Sequence, residues 1–171
     1  NKIGQYATRT RFFEMKLNGD FLGTYLLMEK IKRDKNRVDI EKLESNDNDP
    51  NVISGGYIIK IDKTTGESSS HGDYNEKISF YSKYDPNGEK GKDKKIYFLY
   101  DVPSPKNISK EQKIYIQSYI NSFEDALLSN DFLDSKTGYR QFIDVNSFVD
   151  FFLLNELSHN PDAYRLSTYM H

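Results

Sequence analysis

LNGDFLGTYLLMEKI, residues 17–31, is the stretch from which the fold is read. Asn18-Gly19 supplies the positive φ angles of a tight hairpin turn, and the residues on either side favour extended chain. Two strands follow from this, one over residues 10–17 and a return strand over 21–31. The first alternates Phe13, Met15 and Leu17 imperfectly against Arg11, Glu14 and Lys16. On the return strand Gly23 leaves the sheet without a side chain, and Glu29 places an ionisable group at the far end.

Outward from the hairpin, residues 32–51 are charged and rich in Asn and Asp, with Val38, Ile40 and Leu43 as anchors. Such a stretch predicts a surface connection with short structured pieces, in which Arg37-Val38-Asp39-Ile40 can dock on the sheet. Ser54-Gly55-Gly56 leads into residues 57–62, YIIKID, a compact apolar run with β-branched residues that suits an inner strand. Residues 64–75 read as a loop. Residues 77–81 and 95–100 read as a further strand pair around an Asp85-Pro86-Asn87-Gly88 turn.

From Ser109 the period changes. Ser109 and Gln112 have the spacing of a capping box, and Ile116, Ile120, Phe123 and Leu127 share one helical face. Asp144 is a suitable N-cap for a second helix running to about residue 159, whose apolar residues wrap most of its circumference. That pattern predicts a buried central helix. Pro161 ends it, and residues 164–170 have room for a short strand. Strands first and helices last predict an α+β fold rather than alternating βαβ units.

The bulk properties narrow the function classes. A chain of 171 residues is the size of one domain, or of a piece of a larger one. Its opening at Asn1 without a Met reads as something cut from a longer protein. Hydrophobic content of 36% is low, but 13 Tyr and 11 Phe supply large buried areas. A net charge of −2 offers no electrostatic footprint for nucleic acid. No apolar run approaches the roughly 20 residues of a membrane helix. Without Cys the chain has no disulfides, zinc thiolates or thiol nucleophiles, and suits either redox compartment.

His71, His159 and His171 lack metal-type spacing, and neither a Gly-x-Ser-x-Gly elbow nor a P-loop is present. The turn His159-Asn160-Pro161-Asp162, with Ser167 five residues past the Asp, is more informative. Protein kinases place a loop Asp where it accepts or orients the substrate hydroxyl proton, and an Asn five residues later on Mg²⁺. Equally, an Asp after Pro at a helix end is a common turn former. Lys60, flanked by Ile59 and Ile61, projects from the opposite face to them. There it either crosses an open cleft to a phosphate or sits on the solvated side of the sheet. Glu29, beside Lys30, either holds a phosphate-binding lysine or is solvated.

Several segments agree in order and spacing. They are LNGDFLGTYLLMEKI at 17–31, Asn36-Arg37-Val38-Asp39-Ile40, ISGGYIIKID at 53–62, the YI-x-x-F-E segment from Tyr119 to Glu124, and NELSHNPDAYRLSTYMH at 155–171. With these the chain resembles the spore coat protein H (CotH) kinase family, particularly members from bacterial cell-surface and secreted proteins. The resemblance implies an atypical protein-kinase-like fold, with a sheet-rich nucleotide lobe over residues 1–105 and the start of a helical lobe over 106–171. It implies ATP with Mg²⁺ or Mn²⁺ as cofactors, a nucleotide cleft between the strands and the helices after residue 109, and phosphorylation of protein Ser residues. Asp162 would be the catalytic base and Asn160 would orient its loop. Lys60 would contact phosphate. Glu29 and Lys30 match a Glu-Lys strand end, and Gly23 matches a hairpin glycine. Ser167 stands where kinases carry a metal-binding Asn.

Family members continue with a Trp-Asp-x-Asp-type segment, whereas this chain has no Trp and stops at His171. A catalytically incomplete fragment, binding nucleotide weakly, is the resulting expectation. The alternative is a cell-surface or spore-coat interaction module that keeps the kinase architecture for binding protein. A carbohydrate-binding domain is a third class, disfavoured by the absence of Trp.

Overall fold

A computed structural model describes residues 6–64, 74–84 and 95–171. The chain forms two compact units, Asn1–Ile40 and Glu41–His171. The expected Asp85–Gly88 turn and His71 lie outside the described residues.

The first unit is built on the hairpin. Strands β1 (Thr10–Leu17) and β2 (Asp20–Met28) pair antiparallel about Asn18 and Gly19, whose φ angles are 53° and 96°. Phe13 stands opposite Tyr25, with ring centroids 6.1 Å apart. Met15 faces Gly23 and Lys16 faces Phe21, which leaves Leu22 as the extra residue of a bulge. Gly23 has φ 108°, and a Cβ added there would meet nothing within 4 Å. Its glycine is therefore demanded by the backbone angle rather than by space. β2 ends at Met28 instead of reaching residue 31, though the Glu29 N–H still donates to the Arg9 carbonyl at 3.1 Å. Many hairpin side chains stay exposed, Phe12 at 75%. The expected surface connection after it contains a local turn closed by an Arg33–Val38 bridge, with Val38 buried.

The second unit holds a four-stranded antiparallel sheet in the order β4-β5-β3-β6. Its strands are β3 (Ile58–Ile61), β4 (Ser79–Tyr81), β5 (Tyr97–Val102) and β6 (Thr168–Met170). β3 is interior, as its apolar run requires, and β4 with β5 forms the expected strand pair. Helix α1 (Lys110–Leu128) covers one face of the sheet. Ile59, Phe80, Phe98 and Tyr100 from the strands meet Ile116 and Ile120 from the helix, with Leu43, Tyr57 and Ile108 completing the core.

The capping box at the start of α1 is present in both directions. Gln112 N–H donates to Ser109 Oγ at 3.1 Å, and Ser109 N–H donates to Gln112 Oε1 at 3.1 Å. Gln112 is also fully buried, and its Nε2 donates to the carbonyls of Glu44 at 2.7 Å and Asp47 at 3.3 Å. The core stripe of α1 is shorter than its periodicity predicts. Ile116 and Ile120 are buried, whereas Leu127 is exposed and Ala126 is the buried residue of the last turn.

Helix α2 (Val145–Leu157) begins at Asp144, whose carboxylate accepts from Asn146 N–H at 3.0 Å. It is not the buried central helix that its composition predicts. None of its residues is buried, and Leu157 is 80% exposed. The core is built from the strands, α1 and their flanking loops, and no α2 residue enters it. Of the α2 aromatic rings, Phe151 packs on Tyr164 in the turn beyond, with centroids 5.7 Å apart.

Two substitutions test this framework. Gln112→Ala removes half of the capping box and strips two loop carbonyls of a buried donor, so it should cost about 2–4 kcal/mol in urea unfolding. Gly56 has φ 82°, and a Cβ there would lie 2.2 Å from the Glu41 carbonyl oxygen. Gly56→Ala should therefore destabilise by about 2 kcal/mol or more, read as a lowered Tm.

Candidate functional site

Lys60 emerges from the middle of β3 on the face turned away from α1, because Ile59 and Ile61 point into the core and side chains alternate along a strand. Its ammonium lies 3.5 Å from Asp101 Oδ1 and 5.9 Å from the centroid of the Tyr169 ring. Asp101 is brought there by a bulge. Ile58 pairs with Val102 and Ile59 with Tyr100, so Asp101 is the unpaired residue of β5. Tyr169 sits directly opposite Lys60 on β6. Burial pushes the Tyr169 phenol up, the carboxylates of Asp101 and Asp62 push the same way, and Lys60 opposes them. Lys60, Asp62, Asp101 and Tyr169 thus form one electrostatic cluster. The sequence pointed to Lys60 alone, because the bulge and the β6 register join residues far apart in the chain.

The layer between this sheet and α1 is filled by the apolar core. A phosphate reached by Lys60 therefore lies on the opposite face of the sheet, not between the strands and α1. With Asp101 at 3.5 Å, the half-buried ammonium still has donors to offer a phosphate oxygen.

The turn after α2 is held by its own amides. Asn155, in the last part of α2, donates from Nδ2 to the Phe151 carbonyl at 2.8 Å and accepts from Asn160 Nδ2 at 2.8 Å. Asn160 Oδ1 accepts in turn from the Asp162 N–H at 3.2 Å. Asp162 is exposed and its carboxylate meets Arg165 Nη2 at 3.1 Å. Both partners of that pair are more than half exposed, so separating them costs little. His159, Tyr164 and Ser167 have φ angles of 48°, 69° and 51°, left-handed values that non-glycine residues adopt at about 1 kcal/mol or more each. Ser167 immediately precedes β6, whose Thr168 pairs with Ile61, so it stands at the Asp62 end of β3.

Glu29, Lys30 and Gly23 belong to the first unit. Arg9 grips the Glu29 carboxylate through Nε at 2.8 Å and Nη2 at 2.6 Å, and Arg37 Nε adds a contact at 3.5 Å. The partners of Glu29 are thus arginines, while Lys60 pairs with Asp101. Lys30 is exposed and has no ion-pair partner among the described residues.

The family model described as CotH kinase protein matches residues 1–171. The chain belongs to the CotH kinase family. Comparison with curated proteins and with solved structures gave no match. Membership suggests a kinase-like function with use of nucleotide and metal, and the family is associated with the spore coat. The donors described here do not make a Mg²⁺ or Mn²⁺ shell. Among the described residues no three His, Asp or Glu side chains share a metal position, and Ser167 adds only a hydroxyl where such ions take several oxygens including carboxylates. Likewise no helix among the described residues is long and apolar enough to cross a membrane.

In this CotH-family hairpin the Arg9 hydrogen bonds hold the Glu29 carboxyl below the ordinary carboxylate range, with burial opposing. A lowered folded-state pKa makes the pair's contribution complete above the unfolded value and lost as the pH falls through the folded one. Arg9→Ala should move the Glu29 titration midpoint upward, followed by carboxyl NMR. An unchanged midpoint would show that Arg9 does not hold the group.

Proposed function

We propose that this domain is an ATP-dependent protein serine kinase of the CotH type, with a kinase-like fold, acting at a bacterial cell surface or spore coat. The observation that carries the reading is the antiparallel pairing of β3 with β6. It binds the strand bearing Lys60 to the strand that leaves the Asn160–Asp162 turn, so the cation and the loop carboxylate are parts of one framework.

In this reading residues 1–105 are the nucleotide lobe and 106–171 begin the helical lobe. Lys60 provides a point charge for a phosphate oxygen. Asn160 anchors the turn to α2 and holds the Asp162 backbone in place. Asp162 leaves its exposed pair with Arg165 to accept the proton of a substrate Ser hydroxyl as that oxygen forms its bond to phosphorus. ATP, when bound, supplies the transferred phosphoryl group and departs as ADP. Gly23, Glu29 and Lys30, in the first unit, match the family's hairpin by resemblance, Gly23 with an open backbone and Lys30 with an exposed ammonium.

A second reading, an interaction module of the cell surface or spore coat, is favoured by the exposed apolar length of α2. One experiment separates the two. Assayed in the intact natural protein with labelled ATP, Mg²⁺ or Mn²⁺ and a Ser-containing peptide, Asp162→Asn should lower transfer by about 10²-fold or more with an unchanged circular dichroism spectrum. Equal transfer by wild type and variant removes Asp162 from the chemistry. No transfer by the wild type with either metal leaves the interaction module.

A further inference from the structure

On the sheet's β4 edge, within the second unit, a groove of about 800 Å³ runs between α1 and the strands. One wall is a helical stripe, Lys110, Lys113, Ile114 and Gln117, and the other carries Lys77 and a group of tyrosines. The tyrosine wall is pre-formed. Tyr74 stacks on Tyr97 with centroids 3.9 Å apart, and its hydroxyl donates to the Asp62 carbonyl at 3.0 Å. Lys113 is built into the floor, donating to the carbonyls of Glu76 at 2.9 Å and Lys77 at 3.0 Å beneath the Tyr100 ring, 5.1 Å from its centroid.

Charge marks this groove. The whole chain carries a net charge of −2, yet among the described residues the lining holds three lysines and one carboxylate, that of Glu76. Lys77 and Lys110 are exposed and have no ion-pair partner among the described residues. Burial lowers the Lys113 ammonium, with Glu76 opposing, so an incoming anion would relieve that penalty.

We propose that this groove docks an extended acidic segment of a partner protein. From Lys110 to Gln117 the stripe covers two helical turns, about 10 Å, which three residues of extended chain span. In such a chain alternate side chains face the same wall about 7 Å apart. That places successive carboxylates against separate lysines while the intervening residue packs on the tyrosines. A mononucleotide fits less well. Tyr74 and Tyr97 already stack on each other, and among the described residues the lining has no glycine-rich backbone cradle or arginine fork for a phosphate cluster.

Peptide binding is read without phosphotransfer, so it stands apart from the kinase reading. Fluorescence anisotropy of a labelled peptide with glutamates at two alternate positions flanking a tyrosine should show saturable binding that weakens with salt, and its glutamine counterpart should not bind. Lys77→Glu with Lys110→Glu, both surface changes, should weaken binding by about fivefold or more, while Lys136→Glu on the exposed surface outside the groove leaves it unchanged. Equal binding of the glutamate and glutamine peptides, or indifference to the double reversal in a variant of unchanged circular dichroism, overturns the proposal. Displacement of the peptide by millimolar ATP but not by a second acidic peptide overturns it too, reassigning the groove to nucleotide.

Discussion

The second unit depends on one buried amide. Gln112 closes the capping box of α1 and satisfies two carbonyls of the preceding loop, so the helix start and the 44–47 turn are fixed by a single side chain with no access to water. Leaving any of these groups unpaired in the interior would cost more than the bond itself contributes. Ser109 extends the tie by donating from Oγ to Asn48 Oδ1 at 2.7 Å. The consequence reaches β3. The loop fixed at 44–47 follows Leu43's core contact and leads through the left-handed Gly56 into the strand that carries Lys60.

From that constraint the two faces of the sheet acquire different jobs. One is spent on packing, with Phe80, Phe98 and Tyr100 against α1. The other carries Lys60 and Tyr169 opposite one another and Asp101 delivered by a bulge, beside the buried Ile58 and Leu99. A half-buried ion pair beside a ring is affordable there because the hydrophobic face opposite already stabilises the sheet. Strain is concentrated in the turn that feeds β6, where three non-glycine residues adopt left-handed angles. Such strain persists only where neighbours hold it, and Asn155 and Asn160 supply that hold.

What was legible in the sequence is what short-range chemistry determines. Asn18-Gly19 encodes its turn, Ser109 and Gln112 encode their cap, and the apolar run at 57–62 encodes an inner strand. Lys60's outward direction followed from alternation. What was not legible depends on register between distant segments. Asp101 gave no local sign of joining Lys60, because only the pairing of Ile58 with Val102 and Ile59 with Tyr100 exposes it as a bulge. The second role of Gln112, anchoring the 44–47 loop, was hidden for the same reason. For α2 the composition misled, since apolar residues all round a helix state a need for cover without stating what supplies it. Leu127 fits the period of α1, yet it is Ala126 beside it that is buried.

The pairing of β6 with β3 also sets an order of assembly. Its two strands are separated by roughly a hundred residues, and closing so long a loop is entropically slow compared with forming a hairpin or a helix. β3, β5 and α1 come off the ribosome well before β6 and can associate first. The Asn160–Asp162 turn, held locally by Asn155 and Asn160, is then tied to the sheet when the β3–β6 ladder forms. During synthesis, therefore, the core of strands and α1 can form before β6 is made and joins the sheet.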